Sequence, residues 1–71
     1  MAPRPRITAM QRQAMASLVD GHWHSFGSGF GVKRVALRAL HHRLPGLIEY
    51  EARDGEEFFH LTAAGLREMG H

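Results

Sequence analysis

The stretch VKRVALRALHHRLPGLIEYEARDGEEFFHLT, Val32 to Thr62, decides the architecture. From Val32 to Leu44 the apolar residues Val32, Ala36, Leu37, Leu40 and Leu44 fall on one arc of a helical wheel, with Ala39 at its margin. Arg34, Arg38, His41 and His42 fall opposite, so one face packs and the other is cationic. Pro45-Gly46 stops the helix. Two strand-like runs follow, Leu47–Ala52 and Glu57–Leu61, joined around Arg53-Asp54-Gly55-Glu56, and Asp-Gly between such runs signals a tight hairpin. Ile48 and Tyr50 share one side of the first strand, Phe59 and Leu61 one side of the second. Thr62 is placed to cap a short last helix, Ala63–Met69, with Leu61 and Leu66 as a hydrophobic staple. Gly65 inside that helix costs ~1 kcal/mol relative to alanine, which predicts a frayed or closely packed element.

Upstream, Thr8 and Gln11 match a capping box that opens a first helix over residues 8–19. Ile7, Met10, Ala14, Met15 and Leu18 form its expected core stripe, and Asp20-Gly21 ends it. His22-Trp23-His24 suits a short strand with Trp23 turned inward. The glycines at 27, 29 and 31 leave room for one helical turn at most before Val32. Residues 1–6, with two Pro and two Arg, read as a mobile basic arm, leaving residues 7–71 as one domain.

Composition narrows the function classes. A 71-residue chain buries only about 60% of its unfolded surface, so its core is thin. There is no cysteine, hence no disulfide framework or thiolate metal site, which fits the cytoplasm. No apolar run approaches the ~18 residues of a membrane span, and the basic N-terminus lacks the apolar core of a secretory signal. The net charge of +2 conceals a polarity: residues 1–44 hold seven basic residues against Asp20 alone, and residues 45–71 hold six acidic residues against Arg53 and Arg67. The front half is a candidate polyanion surface.

Three chemical readings compete with that one. Six histidines invite a metal site, with His22-x-His24 as the best chelate. His41 and His42 point roughly 100° apart on a helix and do not share an ion, and the carboxylates cluster elsewhere, so no metal is expected. Gly27-x-Gly29-x-Gly31 lacks the Gly-Lys-Ser/Thr ending of a phosphate-binding loop, so no nucleotide, other cofactor or small-molecule substrate is expected. The helix opening beside Lys33 remains suited to a single DNA phosphate. Ser17, Ser25 and Ser28 sit in no nucleophile setting, and a non-enzymatic chain is expected.

The segments Val35-Ala36-Leu37-Arg38-Ala39-Leu40, Gly46-Leu47-Ile48-Glu49 and Phe59-His60-Leu61-Thr62-Ala63-Ala64-Gly65-Leu66 resemble, in that order, the recognition helix, first wing strand and closing segment of winged helix-turn-helix proteins. The likeness covers residues 7–69. It implies a small α+β fold, two main helices plus a short C-terminal one on a two- or three-stranded antiparallel sheet. It also implies double-stranded DNA binding by a small transcriptional regulator or phage-type accessory factor, with helix 32–44 in the major groove. Arg34 and Arg38 are then the principal contacts and Lys33, His41, His42 and Arg43 secondary ones. The arm residues Arg4 and Arg6 are auxiliary, and Arg12 reaches the backbone. Histidines on that face would strengthen binding as pH falls below about 6.5. The chain departs from the family in its abbreviated segment before the recognition helix and in its acidic hairpin, where Glu49, Glu51, Asp54, Glu56 and Glu57 would be repelled by phosphate. The hairpin is therefore expected to face away from DNA. The alternative reading is a protein-interaction module using that hairpin with Phe58 and Tyr50, or a homodimer seam along the first or last helix.

Overall fold

The computed structural model describes residues 6–27 and 31–70. Its element order is α1 (Ala9–Ala16), β1 (His24–Ser25), α2 (Val32–Arg43), β2 (Ile48–Arg53), β3 (Glu56–Leu61) and α3 (Ala63–Glu68). The strands form one antiparallel sheet in the order β1-β3-β2, giving the small α+β domain expected, with three strands and three helices among the described residues. Arg4 of the basic arm and the middle of the glycine run, Ser28 to Phe30, lie outside the described residues.

α1 starts as its capping box dictates: the Gln11 amide donates to Thr8 Oγ1 and the Thr8 amide donates to Gln11 Oε1, both at 3.0 Å. It ends earlier than its periodicity suggests. The Ser17 hydroxyl donates to the Ala14 carbonyl at 2.7 Å, and turns carry the chain on to Gly21, whose φ of 79° reverses it. The buried stripe is Gln11, Ala14, Met15 and Leu18, while Met10 is exposed. Ala14, Met15 and Leu18 of the expected stripe are buried and Ile7 packs against them; the one correction is Met10, whose place Gln11 takes. Spacings of three, four and seven residues from Gln11 define the face, and the capping role of Gln11 brings its side chain inward.

Within α2 the buried residues are Ala36, Leu37 and Leu40, with Leu44 packed beside them. Val32, expected in the core, is 59% exposed. The packed arc begins one turn later, at Ala36.

The hairpin register runs from Ile48 opposite Leu61 to Arg53 opposite Glu56. Only Asp54 and Gly55 remain for the turn, and both have positive φ, at 51° and 79°. That two-residue geometry matches the right-handed strand twist. Ile48, Phe59 and Leu61 close the core against α1 and α2.

Thr62 caps α3 by accepting from the Gly65 amide at 3.1 Å, and its own hydroxyl donates to the Gly46 carbonyl at 2.6 Å. One threonine thus ties the hairpin's two ends and the last helix together. Gly65 is buried against the Leu47 backbone, and a Cβ there would overlap the Leu47 carbonyl oxygen. Close packing, one of the two outcomes its sequence allowed, is the one realised.

Between Gly21 and Gly27 the chain forms β1 and, among the described residues, no helix. His24 pairs with Phe59 and Ser25 with Phe58. Phe26, one residue beyond, meets Phe59 edge-on with centroids 5.6 Å apart. Trp23 lies out of phase with Phe26 and is 44% exposed. Its ring sits 4.2 Å from the His60 ring, on the face of the sheet turned away from the helices. The expected inward Trp23 is therefore corrected by strand parity. A single-residue frame change moves every side chain to the other face, and Phe26 takes the inward place.

Candidate nucleic-acid interface

α2 carries Lys33, Arg34, Arg38, His41, His42 and Arg43 and no acidic residue at any position. The fold divides these cations among three directions. Arg34, Arg38 and His41 recur every three to four residues, so they share one edge of the helix. That edge lies over the sheet at the hairpin end. His42, Val35, Ala39, Val32 and Arg43 form the outward arc, and Lys33 is exposed in the first turn.

The sheet-facing edge meets Glu57. On β3, Glu57, Phe59 and Leu61 alternate onto the same face, so this carboxylate points toward the helices while Glu56 points away. Arg34 Nη1 donates to Glu57 Oε1, and both side chains are only 12% exposed. Arg38 Nε stands 3.3 Å from Glu57 Oε2, close enough for an ion pair but not aligned as a hydrogen bond. The Arg38 side chain is 58% exposed, leaving the rest of its guanidinium to solvent. Removing Arg34 and Glu57 from water costs several kcal/mol each, which their mutual attraction offsets only while both remain.

This pairing ties the hairpin to α2, because Glu57 points inward and is not a solvated charge. It holds Arg34. The Arg34 guanidinium is therefore engaged by Glu57, whereas most of the Arg38 guanidinium stays open to solvent. A parity count from Phe59 places Glu57 on the inner face; which cations it meets depends on how α2 crosses the sheet.

Tyr50 completes the edge. Its ring packs on Phe59 with centroids 5.1 Å apart and beside His41 at 5.5 Å. Burial first, and the neighbouring Glu57 carboxylate second, push the Tyr50 phenol above its ordinary range, with Arg38 and Arg34 opposing. Arg38, His41, His42, Pro45 and Tyr50 line one shallow groove there. Arg34, Val35, Arg38, Ala39 and His42 line a second along the outward arc.

The remaining sequence-nominated residues lie elsewhere. Arg12 donates to Glu68 Oε1 at 3.3 Å, linking α1 to α3, and is half exposed. Such a surface pair contributes about 0–1 kcal/mol. Arg6 is exposed ahead of α1. The fold thus brings Lys33, Arg34, Arg38, His41, His42 and Arg43 onto one helix and leaves Arg6 and Arg12 outside that surface.

The hairpin's other face is chemically distinct. His60 Nε2 lies 3.2 Å from Glu49 Oε2 under the Trp23 ring, and Arg53 lies 5.6 Å over Phe58 while bonding Glu51 at 3.0 Å. Ser25 donates to Glu56 at 2.8 Å. His24 turns to Asp20. Its ring contacts both Asp20 oxygens at 2.9 Å, and the His22 amide donates to Asp20 at the same distance. Among the described residues no three His, Asp or Glu side chains gather as a metal site, and no helix is long and apolar enough to cross a membrane.

Compared with models of known protein families, with curated proteins and with solved structures, the chain matches none.

Proposed function

We propose that this domain binds double-stranded DNA without catalysing a reaction, with α2 in the major groove, as a small transcriptional regulator or phage-type accessory factor. The observation that carries the reading is the outward side of α2. It presents His42 and Arg43 to solvent, with Arg38 exposed at its border and Lys33 exposed in the first turn, on a helix that contains no carboxylate. An α-helix fits the major groove, and guanidinium groups fork to guanine edges or phosphates. The element order, with its strand between α1 and α2 and its hairpin after α2, supports the resemblance to winged helix-turn-helix proteins. The helix that such proteins place before the recognition helix is replaced here by β1 and the residues that follow it. Arg34 serves this reading indirectly: its pairing with Glu57 fixes the angle at which α2 is presented.

A salt titration of binding to generic duplex DNA tests the proposal. The logarithm of the binding constant should fall linearly with the logarithm of salt concentration, with a slope of about −0.9 per phosphate neutralised. Contacts from Lys33, Arg38 and Arg43 set the expected slope near −3 by the same rule. No binding at ~50 mM salt, or a flat slope, would overturn it.

A second reading, a protein-interaction module, is favoured by a separate observation. The outer sheet face gathers Trp23, Phe58 and His60 among Glu49, Glu51 and Glu56, and Arg53 already lies on Phe58 there. Exposed aromatic groups rimmed by carboxylates suit a basic peptide. Salt-independent failure to bind duplex, together with quenching of Trp23 fluorescence by an arginine-bearing peptide, would decide for this reading.

A further inference from the structure

The outward arc of α2 is not simply cationic. Its centre is apolar: Val32 is 59% and Val35 47% exposed, and Ala39 is exposed beside them. These positions are spaced by three and four residues, so they form a continuous stripe along the helix. Arg38 borders the stripe on one side and Arg43 on the other, with His42 at its end. Among the described residues, no core contact calls for this choice. β-Branched residues lose rotamer freedom in a helix, and a solvated position is better served by Lys, Glu or Gln.

In the major groove the C5 methyl of thymine is the one apolar group on the edges of the four standard bases. A stripe of small aliphatic side chains between cations therefore complements thymine methyls lying between two phosphate backbones. Resting on the DNA-binding reading above, we propose that Val32, Val35 and Ala39 form a thymine-methyl reading strip, which directs α2 to T-bearing duplex. Val32 and Val35 stand about 4.5 Å apart along the axis and Val35 and Ala39 about 6 Å. Methyls one to two base-pair steps apart are thus within reach of neighbouring members of the strip.

The test compares alternating poly(dA-dT) duplex with poly(dA-dU), which lacks only the methyl groups, by fluorescence anisotropy at ~50 mM salt. Burying one methyl corresponds to about a fourfold change in affinity, so two contacted methyls predict a preference of roughly tenfold or more for the thymine duplex. The triple variant Val32→Ser/Val35→Ser/Ala39→Ser, altered only at exposed positions, should bind the two duplexes equally and keep the wild-type salt slope. Equal wild-type affinity for both duplexes overturns the strip while leaving DNA binding intact. A thymine preference that survives in the triple variant also overturns it, because the preference then comes from duplex shape. Failure to bind any duplex removes both readings together.

Discussion

Replacing Glu57 by Gln separates what holds α2 in place from what α2 offers to a ligand. In the wild-type protein one carboxylate, 12% exposed, accepts from Arg34 and stands 3.3 Å from Arg38. Glutamine keeps the volume and one acceptor oxygen but removes the charge and turns an amide donor toward a guanidinium. Breaking a fully buried pair costs about 3–5 kcal/mol, and the residual exposure of this pair reduces that to about 2–3 kcal/mol. A domain of this length has a total stability of about 4–11 kcal/mol. With each kcal/mol worth about 4–8 °C in a domain of this size, the melting temperature should fall by about 10–20 °C. DNA binding should move the other way. Arg38 loses its competing carboxylate, the cationic face gains one net charge, and the salt slope steepens by about 0.9 if the released charge reaches a phosphate. Circular dichroism melting and anisotropy titrations, run below the variant's melting range, read both effects. A variant as stable as wild type would refute the clamp. A destabilised variant with an unchanged salt slope would refute the idea that Glu57 draws charge from the binding face.

Three further outcomes can be checked on the same footing. Arg38→Ala should weaken duplex binding at least tenfold with a melting-temperature change of a few degrees, whereas Arg34→Ala should destabilise by about 2–3 kcal/mol because it strands Glu57; equal effects in both assays would contradict the division of labour between them. Gly65→Ala, favourable by helix propensity alone, should instead cost on the order of 2–3 kcal/mol through overlap with the Leu47 carbonyl, and urea unfolding that shifts to higher denaturant would contradict this packing. Asp20 is held below its ordinary value of 3.8 by the His22 amide first and the His24 ring second. A depressed carboxylate stabilises the fold above its unfolded value and loses that contribution as pH falls through its folded value. The stability difference between wild type and Asp20→Asn should therefore be full above pH 3.8 and decline as pH falls below it through the lower folded value, as followed by denaturant unfolding across pH; a difference that grows with acidity would contradict it.

What the sequence made legible was local. Thr8 with Gln11, Asp54 with Gly55 and Thr62 ahead of α3 each act over two to four residues, and each stands where the pattern put it. The core side of the hairpin followed from strand alternation alone. The features that escaped depend on pairings distant in sequence. Trp23 and Phe26 exchange roles because β1 pairs with β3, more than thirty residues later, in a register that nothing within HWHSFG encodes. Arg34 looked as free as Arg38 because both lie on the polar side of one helical wheel. Only the way α2 lies over the sheet makes one a buried partner and leaves the other exposed. Val32 fails for a related reason: periodicity identifies a face, not where along the helix the opposing layer begins.

The clamp also constrains how α2 could meet a duplex. Glu57 fixes the sheet-side edge of the helix beneath the hairpin, and the hairpin tip beyond it holds Asp54 and Glu56 exposed. Phosphate near that tip meets carboxylates and is repelled. The opposite border of the outward arc carries Arg43, and the first turn carries Lys33, neither paired with a carboxylate among the described residues. A duplex would therefore be drawn to the border of α2 farthest from the hairpin, with the Val32–Val35–Ala39 strip facing the bases and Arg38 reaching phosphate from the inner side. In that arrangement the acidic hairpin does not oppose binding. It would set the side from which DNA approaches, while its inward carboxylate holds Arg34 and the outward arc remains open.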